Sequence, residues 1–159
     1  MKKVNFILAC VFFVLGSVLT LNAQTPVFSE DFETTSIPTG WTQEYVVGSA
    51  NWAFQDGGST RSLPPKSHKG SYDATFFSST AGVPTTKLVT PPIDLSGTSN
   101  PYITFWQIQP DYAGNGYDEL QVYYKTSAGG AWTLLEHYSQ ENDRWSKQTI
   151  ALPNPGSTY

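Results

Sequence analysis

The sequence predicts an all-β domain built as a β-sandwich, and two observations support that prediction. Aromatic residues make up 14% of the chain, which also holds 13 glycines and 11 prolines, whereas charged residues contribute only 14%. That composition is typical of strands and turns rather than of helices. Several short stretches also alternate polar and apolar residues at period two, and none keeps the 3.6-residue period of an amphipathic helix. Short alternating strands separated by turn residues indicate a sandwich.

About nine strands are predicted in order along the chain. The first covers residues 27–33, with Phe28 and Phe32 on one face. The clearest covers residues 102–108, and both of its faces are largely apolar, as expected for a strand in the core of a sandwich. The segment 55–70, rich in Gly, Ser and Pro, is predicted to be a surface loop of the kind that often carries function. The remaining strands are predicted at 41–47, 51–54, 71–78, 86–90, 118–126, 131–138 and 145–152.

Residues 1–23 have the three parts of a secretory signal peptide. Two lysines follow the initiator methionine, residues 4–21 are almost wholly apolar, and Ala23 is a small residue at a plausible cleavage site. The sequence therefore predicts a cleaved signal at 1–23 followed by one domain at 24–159. The protein is expected to be secreted and not to insert into a membrane after cleavage.

Two alternatives to this signal peptide fit the sequence less well. A membrane anchor would normally be followed by a basic stop-transfer cluster, and the sequence has none at that place. A lipoprotein signal would leave Cys10 as the new N-terminus, but too little apolar sequence precedes that cysteine, and the apolar run continues beyond it.

Charge and cysteine content limit which partners the protein is expected to bind and what can stabilise its fold. The chain has 13 acidic and 9 basic residues, and no basic run follows the signal peptide. This balance argues against a nucleic acid or an anionic membrane as partner. Cleavage also removes the single cysteine, so burial or a bound metal must stabilise the domain in an oxidising compartment.

Six short phrases occur in a specific order along the chain. They are EDFE at 30–33, IPTGWT at 37–42, LVTPPIDLSG at 88–97, ITFW at 103–106, DELQVYYKTS at 118–127 and GGAWTLL at 129–135. In this order they resemble the cleaved-adhesin domain of Bacteroidetes secreted proteins, also called the choice-of-anchor J type. That family is in turn similar to the MAM domains of animal cell-surface proteins. The resemblance extends from about Phe28 to the C-terminus.

The resemblance implies a jelly-roll β-sandwich with structural calcium, used as a binding module in adhesins and in multidomain secreted hydrolases. It also implies the extracellular space or the outer surface of a Gram-negative cell. Family members normally continue with closing strands and a segment like Asp-Asp-Val, so the jelly roll is expected to be incomplete at its C-terminus. The expected partner is a host or matrix protein, or a glycan.

Acidic residues provide the candidate calcium ligands. The resemblance favours Glu33 and, from a later loop, Asp118. Asp31 lies on the same side of the first predicted strand as Glu33, so the two can supply part of the shell of about six to eight oxygens that calcium prefers. Asp73 lies on a predicted strand among apolar residues and needs a partner if it is buried. The alternative for the first strand is an edge whose charges discourage aggregation.

The loop between the strands at 102–108 and 118–126 contains the candidate ligand-binding residues. Tyr112 and Tyr117 flank a Gly-Asn-Gly tip and are suited to stack against a sugar ring or a partner's side chain, with Asn115 between them. The same loop could hold calcium by itself, with Asp111, Asn115 and Asp118 as donors. Ordinary surface-loop residues are the alternative.

Basic side chains in the loop 55–70 are a second candidate for recognition, in this case of an acidic partner. They are Arg61, Lys66, His68 and Lys69. The five tryptophans are predicted to lie in the core, because aromatic residues dominate sandwich interiors.

Motifs for catalysis are absent from the sequence. It has no Gly-x-Ser-x-Gly elbow, no His-Glu-x-x-His and no cysteine nucleophile, and His68 and His137 are its only histidines. The prediction is a non-catalytic adhesion or ligand-binding domain. The alternatives are an accessory domain of a larger secreted hydrolase and, less favoured, a jelly-roll glycosidase that works with two carboxylates.

Overall fold

The computed structural model describes residues 25–58, 66–78, 82–110 and 118–159, and it confirms the all-β prediction. In those ranges the chain forms eight strands and no helix, so the described part contains no helix able to cross a bilayer. The predicted signal peptide, including Cys10, lies outside these ranges. The strands are β1 (Thr42–Val47), β2 (Trp52–Gln55), β3 (Asp73–Phe76), β4 (Thr85–Val89), β5 (Tyr102–Gln109), β6 (Leu120–Tyr124), β7 (Thr133–Tyr138) and β8 (Asn142–Ala151).

The strands pair as four antiparallel ladders of two strands each, β1 with β4, β2 with β3, β5 with β8 and β6 with β7. The chain thus divides into an N-terminal half (β1–β4) and a C-terminal half (β5–β8), each with one ladder nested in sequence inside another. These eight strands match eight of the nine predicted ones to within three residues at either end. The arrangement of the ladders as a jelly roll stays a prediction.

The predicted first strand at 27–33 is wrong, because this segment turns instead of extending. Phe32 has a φ of 58°, and an N–H two residues later donates to its carbonyl at 2.7 Å, which closes a three-residue turn. The carboxylates of Glu30 and Asp31 accept the N–H groups of Phe32 and Glu33, at 2.9 and 3.1 Å. Acidic side chains that bond the backbone two residues further on compete with a strand ladder. The expected two-faced strand arrangement of these side chains is therefore not formed.

Aromatic contacts hold the N-terminal half together. Phe54 on β2 is buried, and its ring centroid lies 5.9 Å from that of Phe32. Trp52 packs against Phe76 across the β2–β3 ladder, with ring centroids 5.3 Å apart. Its indole N–H donates to the carbonyl of Thr86 on β4 at 3.0 Å. One tryptophan thus joins the two ladders of this half.

The β5–β8 ladder is the longest, and its two faces differ. Ile103 lies opposite Ile150, which is buried, and Phe105 follows on the same face. On the other face Tyr102 and Trp106 are 46% and 45% exposed. The expectation that both faces of this strand lie in the core is wrong, because these two large side chains stay almost half exposed.

The last residues of the chain pair with the segment before β5. Ile93 and Tyr159 exchange backbone hydrogen bonds at 3.0 and 2.9 Å, and the N–H of Leu95 donates to the carbonyl of Gly156 at 2.8 Å. Tyr159 stacks on Tyr124 of β6, with ring centroids 5.2 Å apart. Burial, and to a smaller extent the charge of Tyr124, raises the pKa of Tyr159 to about 12.

Side-chain contacts also join the two halves. Glu44 of β1 pairs with Lys87 of β4 at 2.5 Å, and it accepts the indole N–H of Trp132, in the C-terminal half, at 3.1 Å. The hydrogen bond from Lys87 is the main cause that lowers the pKa of Glu44. His68, in the N-terminal half, stacks on Trp106 of β5, in the C-terminal half. We therefore expect the two halves to stabilise one another.

Candidate functional site

Glu33, the first candidate calcium ligand, binds the backbone that leads into β3. The N–H of Ser71 donates to its two carboxylate oxygens at 2.8 and 3.0 Å, and the N–H of Tyr72 donates at 3.1 Å. Gly70 has a φ of +78°, and a Cβ atom at that position would collide with the Glu33 carboxylate. A glycine at position 70 thus permits the close approach. Two backbone N–H groups thus already occupy part of the acceptor capacity of the Glu33 carboxylate.

An open cleft of about 340 Å³ lies beside this carboxylate, and Glu30, Asp31 and Glu33 line it. The first two of these side chains cap backbone N–H groups of the turn at Phe32. A carboxylate that accepts one or two N–H groups retains further lone pairs. The cleft therefore presents hard oxygen donors of the type that calcium uses.

Asp73, the candidate on β3, has a nearby carboxylate that the sequence analysis missed. The hydroxyl of Thr75 donates to Asp73 at 3.0 Å. The pKa of Asp73 is raised, mainly by partial burial and further by the negative charge of Asp56. The hydrogen bond from Thr75 acts in the opposite direction and lowers it. The carbonyl of Gly57, next to Asp56, accepts the same Thr75 hydroxyl at 3.2 Å. The Asp-Gly-Gly sequence after a strand was the signal that could have identified Asp56.

The remaining predicted site residues are Asp118, Tyr112, Asn115 and Tyr117. The backbone carbonyl of Asp118 accepts the side-chain amide of Gln109. Within the described ranges no three acidic, histidine or cysteine side chains form a group that could share one metal ion. Tyr112, Asn115 and Tyr117 lie in 111–117, outside the described residues.

An aromatic face on β5 and β8 was not predicted. His68 stacks on Trp106 with ring centroids 4.0 Å apart and planes 20° apart, and it meets Trp145 edge-on at 5.6 Å. The indole N–H of Trp145 donates to the carbonyl of Lys66 at 3.4 Å. Trp106 is thus held in place while 45% of it stays exposed, which corrects the expectation that all tryptophans lie in the core.

Tyr102 extends the aromatic face. It lies four residues before Trp106, on the same side of β5, so the two residues are separated by about 13 Å at a rise of about 3.3 Å per residue. The aromatic face is defined by Tyr102, Trp106, Trp145 and His68. Alternation in the sequence already placed the two β5 residues on one side, but it did not show that this side is exposed.

A polar cleft of about 290 Å³ opens at the other face of the same ladder, near the end of β5. The residues that line it come from β5, the end of β7, the β7–β8 connection and β8. They are Gln107, His137, Tyr138, Ser139, Gln140, Glu141, Asn142, Ser146 and Gln148. Because Gln107 is opposite Ser146 in the ladder, the cleft continues the face that Ile103 and Ile150 begin.

Ser146 organises the wall of the polar cleft. Its Oγ accepts the Nδ2 of Asn142 at 2.7 Å and the Nε2 of Gln148 at 2.9 Å. The same hydroxyl donates to the backbone carbonyl of Gln107 at 3.4 Å. This network fixes several neutral donors and acceptors around one small space.

Two buried glutamines on β5 differ in how they are satisfied. Gln109 is 7% exposed, and its Nε2 donates to the backbone carbonyls of Asp118 and Tyr138, the latter at 2.9 Å. Gln107 is 8% exposed. Its carbonyl oxygen, like that of Gln109, has no hydrogen-bond partner within the part of the chain that the structure describes. A buried acceptor without a partner costs about 1–3 kcal/mol.

Comparison of the chain with protein-family models, with curated proteins and with solved structures gives no match.

Proposed function

We propose that the chain is a secreted, non-catalytic ligand-binding domain of the adhesin type, stabilised by calcium, and that it binds a glycan or a host or matrix protein. The observation that supports this most is the aromatic face. Two large side chains on an ordered strand, Tyr102 and Trp106, remain almost half exposed. Exposed apolar surface of this kind is typical of interaction sites.

The geometry of the face favours a glycan among these partners. The ring of Trp106 is fixed from one side by His68, at 4.0 Å, so binding costs little side-chain entropy. A sugar ring has an apolar C–H face that packs flat on an aromatic ring, and its hydroxyls can bond polar groups around it. Two aromatic rings about 13 Å apart on a strand are spaced to contact separate sugar units of one glycan chain.

Calcium is proposed as a structural ion held by Asp73 and Asp56. The proposal is based on charge. Partial burial and the negative charge of Asp56 both raise the pKa of the Asp73 carboxyl, and a bound cation would lower it again. The carbonyl of Gly57 lies beside them as a neutral donor. Since no three acidic side chains group within the described residues, carbonyls and water would complete the shell. The ion would supply positive charge that orders this loop.

The other proposed calcium ligands, Glu33, Asp31 and Asp118, would contribute less to this ion. Glu33 already accepts N–H groups from Ser71 and Tyr72, and Asp31 accepts one from Glu33 itself. Asp56 and Asp73 also accept hydrogen bonds, from Ser67 and Thr75, but burial and a second negative charge raise the pKa of Asp73, so a cation offsets more at that position.

The test is binding of the full chain to a glycan panel and to a matrix-protein panel. Trp106→Ala is expected to weaken binding at least tenfold, because it removes the fixed ring of the face. Tyr45→Ala is the matched control, since Tyr45 is 51% exposed on the other half of the molecule, and it should bind normally.

Equal binding by Trp106→Ala and the unchanged chain would refute the assignment to the aromatic face. Tyr102→Ala provides a second variant if loss of Trp106 disturbs the fold, which circular dichroism would reveal. If the chain binds only to the protein panel, and Trp106→Ala loses that binding, the aromatic face remains the proposed site and its partner is a protein instead of a glycan.

A further inference from the structure

We propose that the polar cleft is a binding site for a neutral, hydroxyl-rich ligand, one saccharide unit, and that it acts independently of the aromatic face. Gln107 lines the cleft and is 8% exposed. Its carbonyl oxygen has no partner within the described residues. An unsatisfied buried acceptor works against folding, so its place at the wall of a cleft points to a partner that enters from outside.

Most of the other groups of the lining are neutral and mixed in character. Asn142 and Gln148 carry amides, and Ser146 carries a hydroxyl. A sugar hydroxyl donates one hydrogen bond and accepts others, so it can serve the Gln107 oxygen and a neighbouring N–H together. Tyr138 adds an aromatic wall, and its ring meets Phe105 at right angles with centroids 6.2 Å apart. A polar lining with one aromatic wall suits a sugar ring.

The charges at the cleft favour a neutral ligand over an ammonium group. Glu141 and His137 both belong to the lining, and the ring of His137 bonds Glu119 at 3.0 Å. Glu141 is thus the one carboxylate among the described lining residues, with a histidine on the same wall. A cation that left water for this cleft would find little compensating negative charge.

The Gln107 oxygen is itself buried, so the proposal requires the side-chain amide to rotate toward the cleft. The last torsion of a glutamine is broad, and a half-turn exchanges the amide oxygen and nitrogen without movement of the backbone. The volume of about 290 Å³ is close to the lower end of small-ligand pockets, about 300–1,000 Å³. It therefore suits one ring rather than a long chain.

The experiment titrates the ¹⁵N-labelled full chain with a panel of neutral monosaccharides and follows its amide signals by NMR. At least one sugar is expected to give a saturable shift of the Gln107 side-chain amide and of the Ser146 backbone. Gln107→Met lacks the first of these signals, and it is expected to abolish the Ser146 shift. The variant is also expected to raise the melting temperature by about 2–4 °C, because it replaces an unpaired buried acceptor with an apolar group.

Gln109→Met is the matched control for that stability change. It lies on the same strand face, but its amide serves the carbonyls of Asp118 and Tyr138, so the substitution should lower the melting temperature. If Gln107→Met does not fold, Gln148→Met at the cleft wall carries the same binding test. Trp106→Ala should leave the sugar-induced shifts unchanged.

Four results would overturn the proposal. No saturable shift with any sugar would remove the site, and shifts with methylammonium in place of sugars would make the ligand a cation. A lower melting temperature for Gln107→Met would show that its oxygen is satisfied in the free protein. Loss of the shifts in Trp106→Ala would refute the independence of the two sites, whatever the outcome of the test on the aromatic face.

Discussion

The two halves of the molecule share a nested ladder topology and use their polar residues differently. In the N-terminal half, the carboxylates of Glu33 and Asp73 bond the chain itself, through the Ser71 N–H and the Thr75 hydroxyl. In the C-terminal half, Gln107 lines an open cleft and Trp106 an open face. Charged groups thus bond the chain itself in the first half, whereas in the second half neutral and aromatic groups stay open to the proposed ligands.

The largest effect is expected from truncating the core of each half. Phe54→Ala in the N-terminal half should cost about 3–5 kcal/mol and Ile150→Ala in the C-terminal half about 2–5 kcal/mol of unfolding free energy. Both are among the buried apolar residues of the described chain. Because Glu44 and His68 reach across to the other half, each variant should shift one shared transition in urea.

Thr149→Ala is the control for these two variants, since Thr149 neighbours Ile150 and is exposed, and it should change stability by no more than about 0.5 kcal/mol. Two separate transitions, with each substitution moving only one of them, would contradict the mutual stabilisation of the halves.

A smaller effect is expected from Gly70→Ala. The residue has a φ of +78°, and its Cβ would strike the Glu33 carboxylate, so the loss should be roughly 1–3 kcal/mol. Gly129→Ala is the matched control in the C-terminal half, because a Cβ there meets nothing within 4 Å. Chemical denaturation of both variants measures the difference. Equal stabilities would mean that Glu33 does not depend on this close approach.

The smallest effect concerns the pH dependence of Asp73. Its folded pKa is raised above the ordinary 3.8, mainly by burial, so the ionised form weakens the fold. This penalty is complete above the raised pKa and disappears as the pH falls below 3.8. Asp73→Asn should therefore stabilise the fold near neutral pH, by less than about 1 kcal/mol since the group is half exposed, and should change nothing in acid.

The same variant tests the proposed calcium site. Calcium at millimolar concentration should raise the melting temperature of the unchanged chain, because binding to the folded state alone stabilises it. Asp73→Asn should respond less, and Asp94→Asn, which alters an exposed carboxylate that bonds Ser96, should respond as fully as the unchanged chain. An equal response from Asp73→Asn would place calcium elsewhere.

Local patterns predicted the strands because alternation is a property of neighbouring residues. The strand that contains Trp106 and Gln107 was identified in this way, as were the strands predicted at 118–126 and 131–138, which pair as β6 and β7. Alternation failed at 27–33, where Glu30 and Asp31 bond backbone N–H groups that a ladder would have used. Side chains that compete for the backbone leave the hydrophobic pattern unchanged, so the pattern alone did not reveal the turn.

The sequence by itself determined the strand class of this protein, the positions of most strands and the parity that puts Trp106 and Gln107 on opposite faces. Tertiary structure decided which face stays open, which carboxylate charges influence one another, and that Gln107 is buried beside a cleft while His68 supports Trp106. These outcomes depend on residues far apart in the chain, such as Asp56, whose charge acts on Asp73, and His68, which contacts Trp106. Local propensity acts only over a few residues, whereas burial and charge act through space.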